Sequence, residues 1–410
     1  MTTATRSLNP FRTLVVHRNF RLFWFGQTTS LIGTWMQQVA TAWFALVLTD
    51  DAFLVGVVAA AGTIPMLLVS LPAGVFADRR RKLQLVRAVQ SLMLVQAVAL
   101  WWFTWTNRIS IWGLIGLVLL SGILEATEIP ARQSLIIRLV NKDDLQGAIA
   151  LNSGGFNLAR ILGPSLAGIV IAQLGIAWCF GINAMSYLAV IVALSLMRLP
   201  AGVDEPGFTG NSTWHGMREA LSYVRHDRSM WVLFRVVALF SFLGIPVLSM
   251  MPVVARDVLG MNAQGYGVLM MSFGLGALTA ALAVASQAAS VQRGRILTVT
   301  SVILGLAVAG FGASRSPWLS MGVLYVAGLC MMANNSLING LIQIRMPDAM
   351  RARVMALYTT VYIGMHPIGS AVAGWFARQV GVSATVTAMG TLLFIAAALA
   401  FRRYPELRNA

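Results

Sequence analysis

The stretch Gly74-Val75-Phe76-Ala77-Asp78-Arg79-Arg80-Arg81-Lys82-Leu83 sets one acid and four consecutive basic residues between two long apolar runs. The run before it covers residues 53–76 and the run after it residues 83–105. Each is long enough to cross the hydrocarbon core of a bilayer, which takes about 20 helical residues. The charged stretch therefore reads as a short connection between two antiparallel membrane helices. Working outward, the same alternation recurs. Apolar runs fall at 22–48, 53–76, 83–105, 110–138, 145–173 and 177–197, then at 231–256, 263–288, 295–313, 317–343, 353–380 and 384–402. The fold class this predicts is all-α integral membrane, with twelve transmembrane helices.

Composition agrees. The chain has 410 residues, 58% hydrophobic and only 11% charged, with a mean hydropathy of +0.75. A water-soluble domain keeps roughly a quarter of its residues charged, so lipid must be much of this chain's solvent. The formal charge of +16 could suggest a nucleic-acid partner, but the positions of the basic residues argue against one. They cluster in alternate connections: Arg12, Arg18 and Arg21; Arg79 to Lys82 with Arg87; Arg293 and Arg295; Arg345, Arg351 and Arg353; Arg402 and Arg403. The intervening connections hold Asp50 and Asp51, Arg108, Arg256 with Asp257, Arg315, and Arg378. This is the positive-inside pattern. It predicts a multi-pass protein of a bacterial plasma (inner) membrane, with both termini cytoplasmic and anionic lipid at the basic face. Residues 1–21 lack a small-residue cleavage site, so the first run is expected to be a retained helix. Cys179 and Cys330 lie far apart in apolar runs and suggest neither a disulfide nor a metal site.

The connection at 198–230 is the only long one. It divides the chain into a bundle over 1–197, a linker, and a bundle over 231–410. Trp214, Met217, Leu221 and Val224 recur at helical spacing within the linker, which predicts an amphipathic helix on the cytoplasmic membrane surface. A shift of 206 residues superposes Leu151 on Leu357, Gly163 on Gly369, and Ala167-Gly168 on Ala373-Gly374. Two six-helix halves of the same orientation imply a parallel repeat about an axis normal to the membrane.

The charged stretch quoted first resembles the loop signature of the major facilitator superfamily. The resemblance implies a cytoplasmic conformational latch built from Gly74, Asp78, Arg79 and Lys82, with Gly74 permitting close helix approach. Its counterpart at Gln292-Arg293-Gly294-Arg295 lacks the acid. The segment Arg160-Ile161-Leu162-Gly163-Pro164-Ser165-Leu166-Ala167-Gly168 is similar to the fifth-helix Gly-Pro motif of the export branch. Gly163, Pro164 and Gly168 then either bend that helix in the transport cycle or form a packing kink. Pro130-Ala131-Arg132-Gln133-Ser134-Leu135, Leu145 to Ser153, and Tyr266-Gly267 with Gly274-Leu275-Gly276-Ala277 resemble the drug and siderophore exporters related to the enterobactin exporter and macrolide efflux proteins. The basic residue usual in the superfamily's fourth helix is absent here, so no standard proton relay carries over.

Acids stand there instead. Of fourteen acidic residues, Glu125 and Glu128 alone fall well inside a predicted span, and ionisable groups at membrane depth are usually functional. Glu125 and Arg160 are about equally far from the turn between their two spans, so a Glu125–Arg160 pair is expected. Glu128 stands at i−4 from Arg132 and is the first choice for a proton carrier. The alternative is that both acids only staple helices. Arg160 could instead attract an anionic substrate. His366, 206 residues beyond Arg160, is either a proton switch or a satisfied core histidine. Gln27, Gln37, Gln38, Asn334, Asn335 and Asn339 line a central cavity or serve as interhelical hydrogen-bonding glue. Trp24, Trp43, Trp101, Trp102, Trp105 and Trp112 are assigned to the membrane interface.

No phosphate-cradling loop, dinucleotide fingerprint or metal-binding helix is present in the sequence, and no cofactor or enzymatic activity is expected. The reading is a monomeric secondary transporter that exports a small organic molecule, drug-like or siderophore-like, by proton antiport and alternating access. Uptake or proton-independent transport is the alternative within the fold. A membrane sensor or lipid-handling protein is the alternative outside it.

Overall fold

Hydrocarbon offers no partner to a backbone N–H or C=O, so apolar runs of this length resolve as helices whose hydrogen bonds close internally. The computed structural model describes residues 11–198, 213–286 and 293–403, and no strand occurs among them. The first half comprises α1 (Phe11–Val16), α2 (Arg18–Thr49), α3 (Ala52–Asp78), α4 (Lys82–Trp105), α5 (Ile111–Arg138), α6 (Leu145–Leu174) and α7 (Ile176–Ser195). After α8 (Thr213–His226) come α9 (Arg228–Leu239), α10 (Val247–Val253), α11 (Ala263–Ser286), α12 (Arg293–Ala313), α13 (Pro317–Arg345), α14 (Asp348–Val380) and α15 (Val382–Arg403).

Among the described residues, 11 helical segments are long and apolar enough to cross a membrane. The twelfth is α14, which carries more polar residues. It runs antiparallel beside α3, with Gly374 against Ala52 and Gly364 against Leu67, and so covers the same depth. The outward faces are apolar: Leu92, Val95 and Trp102 on α4, and Met185, Leu188 and Val192 on α7, are all exposed. Such stripes are stable only against lipid.

The seventh span is interrupted, although the sequence pattern reads as one continuous run over 231–256. Its helix passes through two π-helical turns, Phe240–Gly244 and Val254–Val258, around Pro246 and Pro252. Proline has no N–H for the carbonyl four residues back, and the ladder widens locally to reach other donors.

Within the first half α2 packs on α6 and α7, α3 on α5, and α4 on α5 and α7; in the second, α11 packs on α13, and α12 on α13 and α15. The two sets meet along two crossings, α3 with α14 and α6 with α11. A Cβ placed at Gly56 would lie 2.5 Å from Ser370 O, and one at Gly267 would lie 2.7 Å from Pro164 O. Ser370 and Pro164 are 206 residues apart, so the crossings are copies of each other. The other repeat positions behave alike. Gly163 abuts the first span at Trp35 and Met36, and Gly369 abuts the seventh at Phe242 and Pro246. Gly175 and Gly381 end α6 and α14 with φ of 91° and 88°, a left-handed region that favours glycine.

The described part of the linker helix packs its apolar residues against protein. Ala220 and Val224 on α8 are fully buried in a cluster with Val354 and Leu357 of α14, and Glu219 pairs with Arg353. The spacing of apolar residues could not distinguish a protein groove from a bilayer surface. The linker residues 199–212 and the Trp214 and Met217 side chains lie outside the described residues.

Gly74 also departs from expectation, because a Cβ there would meet nothing within 4 Å. Its place in the signature is not explained by close helix approach in this conformation. Two alanine substitutions should therefore differ in sign. Gly74→Ala raises stability by up to about 1 kcal/mol through helix propensity. Gly56→Ala lowers it by about 1–3 kcal/mol through overpacking against backbone. Thermal unfolding of the purified variants in detergent measures both.

Candidate functional site

The polar groups of the first half gather on α5 and the helices beside it. Glu128 is buried, 4% exposed. Its Oε1 accepts a hydrogen bond from Gln90 Nε2 at 3.0 Å and lies 3.8 Å from Arg132 Nη1, one turn along α5. Gln90 fixes its rotamer from α4. Glu125, one turn earlier on α5, is half-buried and makes no hydrogen bond or ion pair. Glu128, Arg132 and the buried Tyr187 are within its electrostatic reach. Tyr187 OH lies 3.2 Å from Thr34 Oγ1, which links this acid region to α2.

The expected Glu125–Arg160 pair does not form. Equal depth on consecutive antiparallel helices does not make two residues neighbours: α6 packs on α2 and α11 and barely meets α5. Arg160 Nη2 donates to Asn157 Oδ1 at 3.2 Å, and Arg160 Nε is buried with no partner. Tyr362 of α14, across the boundary between the halves, is within electrostatic reach of Arg160. Tyr362 sits in an aromatic ladder, stacked on Phe240 at 6.1 Å and on Tyr358 at 6.0 Å. Tyr358 OH donates to Asn335 Oδ1 at 2.7 Å. On the α6 side Phe156 meets Trp35 edge-on at 5.8 Å. His366 stands one turn beyond Tyr362, half-buried, with no hydrogen bond among the described residues.

The amides divide. Gln37 accepts from Asn183 Nδ2 at 2.8 Å, and Asn334 Oδ1 accepts from Thr300 Oγ1 at 2.5 Å. These are interhelical bonds inside one half, and Asn334 borders a crevice of about 20 Å³ with Phe240, Ser301 and Ile338. Asn339 accepts from Gln343 Nε2 at 2.5 Å, within its own helix. Gln38 is exposed. Gln27 is 3% exposed, and its Oε1 has no partner. The gathering of all six amides around one central site is therefore not observed.

At the end of the molecule remote from the termini, the halves are joined by charge. Arg256 bonds to Asp50 and Asp257, and Arg378 lies 3.5 Å from Asp51. Trp43 of α2 stacks on Tyr266 of α11 at 5.9 Å, buried rather than in an interfacial belt. A depression of about 1240 Å³ opens there, lined by Asp50, Asp51, Asp257, Arg315 and Arg378. Glu125, Glu128, Arg160 and His366 do not line it.

At the opposite end, Lys82 is buried and donates to Ala77 O at 2.5 Å, capping α3. Arg79 is exposed, and Arg80 lies over the Phe76 ring at 5.4 Å. The Asp78 side chain and Gln292 lie outside the described residues. The fifth-helix motif is a packing site: Gly163 fits against α2, and Gly168 against Ala263 and Gln264 of α11.

Gln90, Tyr187 and Tyr362 had no sequence signal beyond being polar positions in apolar runs, and their roles come from neighbours on other helices. Gln90→Leu should destabilise the protein by about 1–3 kcal/mol, because it strips a buried carboxylate of a donor. In a Glu128→Leu background the same change should cost less, a coupling that thermal unfolding in a double-mutant cycle detects.

The sequence matches the family described as transmembrane secretion effector over residues 5–409. It is 24% identical to the staphyloferrin A transporter of Staphylococcus aureus over 361 residues, 88% of this chain and 89% of that protein. It is 24% identical to the multidrug efflux pump Tap of Mycolicibacterium fortuitum (95% and 96% covered). It is 25% identical to the enterobactin exporter EntS of Citrobacter koseri (97% and 94%). Among solved structures, a bacterial homologue of the human lysosomal transporter Spinster, inward-facing and unoccupied, superposes with a TM-score of 0.70 at 14% identity, covering 96% of this chain and 98% of that one. A POT family transporter in complex with 5-aminolevulinic acid gives 0.77 at 11% identity, covering 95% and 96%. Twelve crossing helices, a doubled packing pattern and a family match over nearly the whole chain lead to one assignment: this is a multi-pass membrane transporter of the major facilitator superfamily, belonging to the transmembrane secretion effector family.

Proposed function

We propose that the chain is a secondary active exporter of small organic molecules, driven by proton antiport, in a bacterial plasma membrane with both termini cytoplasmic. The relatives named as efflux pumps and as an enterobactin exporter support the direction, and the alternation of basic loops supports the orientation. Residues 1–197 and 231–410 act as the two moving bodies, with 198–230 as their linker.

The observation that carries the coupling is the inequality of the two acids on α5. Glu128 has a donor from Gln90 and a guanidinium 3.8 Å away. Glu125 has no hydrogen-bond donor, and it shares the Arg132 guanidinium with Glu128. Taking an uncompensated charge out of water is costly, so Glu125 is the carboxyl that must hold a proton when its surroundings close. Glu125 thus replaces Glu128 as the proton carrier, and Glu128 becomes the fixed charge beside it. When the site faces outward, cargo leaves and Glu125 is protonated. When it faces the cytoplasm, the proton departs and cargo binds. Opening the outer end breaks Asp50–Arg256 and Asp51–Arg378. Such exposed pairs are worth about 0–1 kcal/mol each, weak enough for rapid reversal.

Inside-out vesicles with an acidified lumen and a pH-sensitive dye test the coupling. Wild-type vesicles should release protons when an exported cargo is added, whether a siderophore, macrolide or cationic drug. Glu125→Gln should abolish release while keeping cargo exchange across the membrane. Undiminished proton release by Glu125→Gln would refute this assignment. A second measurement concerns the outer contact. Cysteines at positions 50 and 256, joined by a short bis-maleimide, should stop transport, the native Cys179 and Cys330 being buried. Full transport by the joined protein would show that this contact need not open.

A further inference from the structure

Arg160 is a permanent cation at membrane depth without a counter-ion. No carboxylate among the described residues lies within ion-pair distance of it, and the two acids of α5 are on a helix it barely meets. An arginine does not deprotonate in proteins. Of its five N–H donors, one goes to Asn157, and the buried Nε–H has none to go to. Charged groups in a membrane interior are paired or face an aqueous pathway that brings them a partner. The α6 backbone at Arg160 packs on α11, where Gly274 approaches Arg160 O, at the boundary between the halves. Within its electrostatic reach is Tyr362, half-buried, whose ring stacks on Phe240 and on Tyr358 and whose carbonyl accepts a bond from Ser241. Phe156, one turn before Arg160, is 40% exposed and meets Trp35.

We propose that Arg160 and Tyr362 form a substrate subsite for an organic anion, a carboxylate borne on or beside an aromatic ring, with Arg160 taking the oxygens and Tyr362 presenting its ring edge. A guanidinium fork matches two carboxylate oxygens, and the aromatic walls on both sides suit a flat apolar body. The inference rests on the export reading for its transport consequence alone: the bound anion balances the charge of Arg160 while cargo crosses.

Binding needs no gradient, so the subsite can be tested apart from proton coupling. Purified protein in detergent is titrated with 2-naphthoate, its neutral isostere 2-naphthamide, and acetate, with heat or tryptophan fluorescence as the readout. Wild type should bind 2-naphthoate saturably and about tenfold or more tighter than 2-naphthamide. Arg160→Gln should erase that preference. Tyr362→Ala should weaken 2-naphthoate without changing acetate. The preference is read in detergent without proton flux, so its loss in Arg160→Gln and the proton release of Glu125→Gln vesicles are separate results, and failure of one leaves the other standing. If Arg160→Gln does not fold by circular dichroism, Arg160→Lys carries the test, since loss of the fork should reduce the preference. No binding by wild type, no preference for the anion, or a preference that survives loss of the guanidinium or its fork would overturn the proposal.

Discussion

Where α3 meets α14 and α6 meets α11, backbone lies against backbone. Lipid tails are as apolar as leucine, so nothing squeezes transmembrane helices together as water squeezes a soluble core. Association depends on close contact, and close contact depends on residues without bulk. Gly56 against Ser370 and Gly267 against Pro164 supply it at equivalent points of the two crossings. The remaining architecture follows from these seams. They set the distance between the halves, bring Tyr362 within electrostatic reach of Arg160, and bring Asp50 within reach of Arg256 at the end remote from the termini. At these points helix backbones touch, and side chains of both halves share one buried cluster around them.

The repeat has preserved packing and let chemistry diverge. Positions 206 residues apart keep glycine at 163 and 369, 168 and 374, and 175 and 381. Polar positions do not match: Glu128 answers to Asn334, Arg160 to His366, Phe156 to Tyr362, and Asp50 to Arg256. Packing must work twice in the same geometry, so both copies hold it. A transport site and a coupling site need be built only once. The acids accordingly sit in the first half, and the aromatic ladder sits in the second. Asp50 and Arg256 show a further consequence. Equivalent positions beside a two-fold axis face each other, so opposite charges at one repeat position attract where identical charges would repel.

Electrostatically, the interior holds charges in two separated places. The α5 group has two carboxylates and one guanidinium, and the α6 group has one guanidinium without a carboxylate. Neither is balanced by itself, and the distance between the helices keeps each from neutralising the other.

Length, composition and the alternation of basic loops were enough to determine twelve membrane helices, their order and their repeat, because hydrocarbon imposes a solvent rule that any apolar run of about 20 residues must obey. The glycines of the repeat could also be read directly, since only a missing side chain lets backbones touch. Partners across helices could not. Glu125 and Arg160 share a depth and yet lie apart, because depth along a hairpin says nothing of which neighbour each helix takes. Gln90 and Tyr362 gained roles from residues 38 positions away on α5 and on a different half. Val224 of α8 found α14 where its periodicity fitted a bilayer equally well. Periodicity along one helix records which face is apolar and at what depth a charge sits. Only the lateral packing of twelve helices decides what that face or charge meets.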